Sequence, residues 1–234
     1  IIYERLYNDR ALKKIENWVP NFSSREDGSL KKLFVLGPSR SGKTSLEILL
    51  SKSMKVKPLG EYIKSGVFNK KNGDFNNQKI SFDQLFYLSE AELKRNGFKV
   101  VVSTKPSSIN FVMELFHNLT DAYFIFIKRD LCALASEIFT TEYREGNFYS
   151  YHPSETIDYL NFYYQVAEMV QSKLPGRVLN LHFEELAEDP CRVTQKVGNF
   201  LSLDFCINPN DLIKRDAVPM REYHHYFHYL AQLN

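Results

Sequence analysis

The chain has 234 residues, 44% of them apolar and 25% charged, and a net charge of +2. That is enough apolar material for one full core, and too little net charge for a sequence-independent hold on nucleic acid, so any cation that matters acts locally. Three cysteines without close spacing (Cys132, Cys191, Cys206) argue against a disulfide framework, and no apolar run approaches a membrane span.

Residues 1–22 carry an amphipathic pattern (Ile1, Ile2, Leu6, Leu12, Ile15, Trp18) that ends at Pro20 and predicts one or two helices. A polar linker follows, dividing the chain into a helical segment with its linker (1–30) and a principal domain (31–234). The apolar run Leu33-Phe34-Val35-Leu36 then leads directly into Gly37-Pro38-Ser39-Arg40-Ser41-Gly42-Lys43-Thr44 and a helix-like stretch over 45–53. Strand, glycine loop and helix together form a phosphate cradle, because loop N–H groups and the positive helix end point at one anion. Gly37 and Gly42 let the backbone approach that anion, and the spacing fits the Walker A form Gly-x-x-x-x-Gly-Lys-Thr.

Segment 64–79 has turn composition and no periodicity; a substrate-facing lid and simple disorder both fit it. Short β-branched or aromatic runs predict strands over 98–103, 122–127 and 177–182. The longest helical pattern covers 154–174, between Pro153 and Pro175-Gly176. Strands alternating with helices predict an α/β fold, a P-loop three-layer sandwich with a parallel central sheet and helices on both faces. Ligands in such sheets bind at the carboxyl ends of the strands, where the glycine loop sits.

A phosphate cradle serves several chemistries. In a kinase or NTPase, Lys43 would neutralise the β- and γ-phosphates of ATP and Thr44 would hold Mg²⁺. That chemistry also calls for an acidic residue at a strand end. Here the strands run out into Ser103-Thr104-Lys105 and Lys128-Arg129, with Asp130 only beyond both cations. A non-catalytic nucleotide-binding domain on the same fold would be marked by loss of acid/base residues.

Taken in order, further segments carry a resemblance. Pro38-Ser39-Arg40-Ser41-Gly42-Lys43-Thr44-Ser45-Leu46-Glu47 resembles the 5′-phosphosulfate loop of sulfotransferases. Leu59-Gly60-Glu61 resembles the Gly-Glu that follows this loop in tyrosylprotein sulfotransferases and in bacterial relatives fused to tetratricopeptide repeats. Thr104-Lys105-Pro106 is similar to the family's Lys-x-Pro segment, and Lys128-Arg129-Asp130 with Ser136 to its Arg-Asp…Ser element. Pro175-Gly176-Arg177-Val178, His182-Phe183-Glu184-Glu185-Leu186, Asp189-Pro190 and Phe200-Leu201 complete an ordered match from about residue 33 to 205.

This resemblance implies transfer of a sulfuryl group from 3′-phosphoadenosine 5′-phosphosulfate to a hydroxyl or amine acceptor, with no metal. It implies that Arg40, Ser41, Gly42, Lys43, Thr44 and Ser45 hold the 5′-phosphosulfate, Arg40 also counting among the catalytic cations. Glu61 would be the general base and Lys105 would stabilise charge on the leaving phosphate. Arg129, whose fork suits phosphate, or Lys128 in its place, would bind the 3′-phosphate with Ser136, and Arg221 would serve the adenosine side.

The chain departs from the family in three places. Lys43 stands where threonine is usual, Phe183 replaces a tyrosine, and Arg129 precedes Ser136 by one residue fewer than usual, a spacing that Lys128 meets. Phe162, Tyr163 and Tyr164 read as core residues of the long helix rather than adenine-stacking rings. His224, His225 and His228 read as a packing helix rather than a metal site. A start at Ile1 and the absence of a signal-peptide pattern suggest part of a longer cytoplasmic protein, with a helical repeat array upstream. The resemblance leaves the acceptor open among sugars, lipids, peptides and small metabolites.

Overall fold

The computed structural model describes residues 2–22, 28–63, 80–143, 147–205 and 228. Loop 64–79, Cys206, Arg221, His224 and His225 lie outside these residues. Among them, strands β1 (Lys31–Leu36), β2 (Val56–Gly60), β3 (Val100–Ser103), β4 (Ala122–Lys128) and β5 (Val178–His182) form one parallel sheet. The strand order is β2-β3-β1-β4-β5, with β1 at the centre.

An unbroken apolar run makes a good central strand because both of its faces are covered. Leu33 to Leu36 are all at most 1% exposed. Their side chains alternate between two cores. Phe34 and Leu36, with Phe124 and Phe126 of β4, face α1 (Ile2–Asn17), α3 (Phe82–Phe86), α4 (Glu90–Arg95), α5 (Val112–Asn118) and α7 (Pro153–Lys173). Leu33 and Val35, with Ile125 and Ile127, face α2 (Lys43–Leu50), α8 (Phe183–Glu188) and α9 (Pro190–Leu201). Helix α6 (Leu131–Phe139) packs against α7 through Leu134, Ala135, Ile138, Ile157 and Leu160. This is the three-layer arrangement expected from the alternating pattern.

The sequence pattern did not single out β2. It is five residues long, contains Pro58 and pairs only with β3. Proline is tolerated there because an edge strand leaves one row of N–H groups unpaired. Strand β1 also starts two residues ahead of its apolar run. It does so by burying Lys32, whose ammonium donates to Glu90 Oε1 at 2.9 Å. Helix α1 joins the first core through Ile15, and Lys173 Nζ of α7 donates to its Glu16 carbonyl at 2.6 Å.

The amino-terminal edge of the sheet holds a buried ion pair. Asp121 accepts from Arg177 Nη1 at 3.4 Å and from the Ser29 hydroxyl, and the Arg177 guanidinium lies 4.6 Å from the centre of the Tyr123 ring. The opposite, carboxyl edge carries the chemistry. No described helix is long and apolar enough to cross a membrane.

Candidate active site

The glycine loop leaves β1 at Gly37 and enters α2 at Lys43. A side chain at Gly37 would displace the Ser41 hydroxyl, 2.2 Å from its Cβ, and press on the Ile127 carbonyl at 3.2 Å. Gly42 is equally constrained: its φ is +98°, and a Cβ would meet the Phe183 ring at 2.4 Å. The same ring lies 4.6 Å beneath the Arg129 guanidinium, so Phe183 fills the space behind the loop as an apolar support. Between the glycines, Arg40 adopts φ +65°, a left-handed conformation costly for a residue with a Cβ, and it is exposed.

Two features suit this loop to a phosphate-type anion. Gly42 caps α2 without a side chain, so the N-cap position itself puts no side-chain oxygen onto the first turn. Ser41 is fully buried, and its hydroxyl has no hydrogen-bond partner among the described residues. Such an orphan is a donor waiting for an acceptor. Thr44 is exposed at the loop mouth.

Lys43 turns back into the loop and donates from Nζ to the Pro38 carbonyl at 2.7 Å. Burial lowers its pKa from an ordinary 10.5 to about 8, and the Glu61 carboxylate opposes part of that fall. The loop lysine and the candidate base therefore sense each other's charge. Glu61 itself is exposed just past the end of β2.

The β2 and β3 ends are tied together. Gly60 O accepts from Thr104 N–H at 2.8 Å and from the Ser103 hydroxyl at 3.3 Å. Lys105, the next residue, reaches across with Nζ donating to Ile63 O at 3.0 Å. Glu61 and Lys105 thus stand on adjoining strand ends beside the loop, and Tyr62 and Tyr87 are exposed next to them with ring centres 6.4 Å apart.

On the other side of β1, the end of β4 is more enclosed. Arg129 Nη1 donates to the Arg40 carbonyl at 2.9 Å and to Glu137 Oε2 at 2.6 Å, and its side chain is 6% exposed. Ser136 is fully buried and donates to the Cys132 carbonyl at 2.7 Å, so as placed it offers no hydroxyl to a ligand surface. Lys128 is paired with Glu168 at 3.0 Å on α7. Asp130 caps α6 by accepting from Ala133 N–H at 2.8 Å. The acids described near that strand end are all engaged: Asp130 caps a helix, Glu137 and Glu168 pair with Arg129 and Lys128, and Glu184 accepts from Asp130 N–H at 3.1 Å. Among the described residues no group of three or more His, Cys, Asp or Glu is arranged around a metal position.

Sequence reasoning missed two tyrosine roles. Tyr163 lies in the core, as expected of it, yet its hydroxyl accepts from Gly37 N–H at 2.9 Å and donates to Pro106 O at 3.4 Å. The Tyr164 hydroxyl accepts from Arg129 N–H at 3.1 Å and donates to its carbonyl at 2.6 Å. Burial pushes the Tyr163 hydroxyl far above its usual pKa and that of Tyr164 up to about 12, so both stay neutral hydrogen-bonding groups. The only available signal was the pair of adjacent tyrosines, since their partners are backbone atoms far away in sequence.

Comparison with known proteins agrees with this fold. Residues 32–206 match the profile of the sulfotransferase family. No curated protein matches the sequence. A sulfotransferase from Alicyclobacillus acidocaldarius superposes with a TM-score of 0.50 at 18% identity, over 90% of this chain and 96% of its own. The sulfotransferase domain of the Synechococcus PCC 7002 olefin synthase gives 0.52 at 15% identity, over 91% and 98%. Sulfotransferase STF1 from Mycobacterium tuberculosis H37Rv gives 0.52 at 10% identity, over 98% and 82%. At these identities the structural likeness is one of fold, and the family assignment comes from the profile match over most of the chain. The chain belongs to the sulfotransferase family.

Proposed function

We propose that the protein moves a sulfuryl group from 3′-phosphoadenosine 5′-phosphosulfate to a hydroxyl or amine acceptor, with Glu61 and Lys105 as the catalytic pair. The observation that carries this reading is that both residues stand on adjoining strand ends beside a loop whose Ser41 hydroxyl has no partner among the described residues. The donor supplies the activated sulfuryl group; the protein positions it and neutralises charge.

Arg40, Ser41, Gly42, Lys43, Thr44 and Ser45 would hold the 5′-phosphosulfate through loop N–H groups, hydroxyls and two cations. Glu61, exposed to an incoming acceptor, takes the hydroxyl proton. Lys105 offsets charge on the leaving phosphate. For the 3′-phosphate, Lys128 takes precedence over Arg129. The Arg129 guanidinium is enclosed between Glu137 and the Arg40 carbonyl, where it shapes the loop, whereas Lys128 is 17% exposed and pairs with an open Glu168. Ser136 would join that contact only after its hydroxyl leaves the Cys132 carbonyl. Arg221 remains a candidate for the adenosine side. The acceptor would meet Glu61 next to the exposed rings of Tyr62 and Tyr87, a surface suited to a molecule with an apolar or ring face.

The test is calorimetric binding of 3′,5′-adenosine bisphosphate against ATP with and without Mg²⁺. Tight, metal-independent binding of the bisphosphate together with weak ATP binding is expected; magnesium-dependent ATP binding would overturn the proposal. Glu61→Ala and Lys105→Ala should retain bisphosphate binding and lose turnover by about 10²- to 10³-fold.

A further inference from the structure

We infer that Glu47 is a positioning residue for the transfer step, its buried carboxylate setting the strand ends that carry Glu61 and Lys105 against the phosphate loop. The inference rests on the catalytic assignment of that pair.

Glu47 lies one helical turn beyond Lys43, on the same face of α2. It is 6% exposed. Burying a carboxylate is costly unless its oxygens find donors. Both oxygens are used, and both partners belong to the reacting edge. Oε1 accepts from Gly60 N–H at 2.7 Å, and Oε2 accepts from the Thr104 hydroxyl at 3.4 Å. Gly60 immediately precedes Glu61, and Thr104 immediately precedes Lys105.

The strand ends need such an anchor. Strand β2 is separated from β1 by β3, so the central strand does not hold it. Its ladder shifts register between Pro58 and Gly60, and Gly60 turns out of the strand with φ +59°. Hydrogen bonds between Gly60 and residues 103 and 104 fix the two ends to each other. Glu47 fixes that pair to the helix whose first turn is the phosphate loop. One side chain therefore sets the distance between the bound donor and both catalytic groups. Misplacement by about 1 Å at such a site costs on the order of a hundredfold in rate.

The test compares Glu47→Ala, Glu47→Gln and Thr104→Val with the parent protein. Turnover is read as release of 3′,5′-adenosine bisphosphate from the donor, with glucose, 4-nitrophenol and ethanolamine offered as acceptors and water as the background acceptor. Bisphosphate binding is followed by calorimetry. Glu47→Ala should lower kcat about 10²-fold, with the bisphosphate Kd within about threefold. Glu47→Gln keeps the side-chain length and the acceptor for Gly60 N–H, and should recover to within about tenfold of the parent. Thr104→Val removes one donor without changing charge or volume, and should lose about tenfold in kcat; it decides the matter if Glu47→Ala does not fold. In a Glu61→Ala background the further loss from Glu47→Ala should shrink to about threefold or less, because the two act on one step.

Parent-like kcat in both Glu47→Ala and Thr104→Val, with Glu61→Ala inactive, would overturn this inference and leave the catalytic assignment standing. A loss of bisphosphate binding in step with kcat would also overturn it, showing that Glu47 shapes the donor loop instead. Full turnover in Glu61→Ala would overturn the assignment and the inference together.

Discussion

Lys43 offers a prediction with a worked magnitude. Its ammonium is almost wholly buried against the Pro38 carbonyl, and its pKa falls from 10.5 to about 8. At roughly 1.4 kcal/mol for each tenfold change in proton affinity, holding it charged in the free protein costs about 3 kcal/mol. The sign follows from proton counts. Between pH 8 and 10.5 the unfolded chain keeps the Lys43 proton and the folded protein has released it, so stability rises with pH across that window. Cys132 and the buried tyrosines, whose pKa values are raised, pull the other way at the alkaline end. They are common to parent and variant, so the difference between the two curves isolates Lys43. Urea unfolding of the parent and of Lys43→Met from pH 7 to 10 should give curves that diverge by about 2 to 3 kcal/mol, the parent gaining on the variant above pH 8. Glu61→Gln removes the opposing carboxylate and should move the onset of divergence to lower pH. Parallel curves for the parent and Lys43→Met would refute the view that a buried, strained cation waits in the loop.

Further expectations concern the loop's support and the far edge of the sheet. Gly42→Ala forces a Cβ onto the Phe183 ring at φ +98° and should weaken bisphosphate binding by at least about tenfold. Phe183→Ala in the same protein should restore only part of that loss, since the backbone strain remains. Tyr163→Phe leaves Gly37 N–H buried without its acceptor and should cost about 1–3 kcal/mol in urea unfolding, with weaker bisphosphate binding. Asp121→Ala strands the Arg177 charge at the edge away from the site and should cost about 3–5 kcal/mol, with kcat per folded molecule unchanged.

Local chemistry made the glycine loop, the flanking strand and helix, three more strands and the long helix legible in the sequence. Each of these rests on short-range signals: an unbroken apolar run, a glycine pair at fixed spacing, a proline at each end of a helical pattern. Strand β2 is hard to see because Lys57, Pro58 and Gly60 break its apolar run, whereas β5, the other edge strand, keeps a readable one. The locations of Glu61 and Lys105 came through motif order, and the structure sets both at the sheet's carboxyl edge. Roles that depend on long-range backbone partners were not legible. Glu47 looked like the last letter of a loop motif, and nothing local revealed that its oxygens reach residues 60 and 104. Residue type alone leaves the 3′-phosphate contact open between Lys128 and Arg129, because the loop carbonyl and glutamate around Arg129 come near only on folding.

The two tyrosine hydroxyls of α7 have a consequence for how nucleotide arrives. Tyr163 bridges Gly37 and Pro106, and Tyr164 grips the backbone at Arg129, so three separate segments around the loop are fastened to one long helix. A cradle fastened in this way is assembled before its ligand comes. Little ordering is left for the encounter itself, so capture should proceed as a single docking event, its observed rate climbing linearly with nucleotide concentration and showing no plateau from a slow rearrangement.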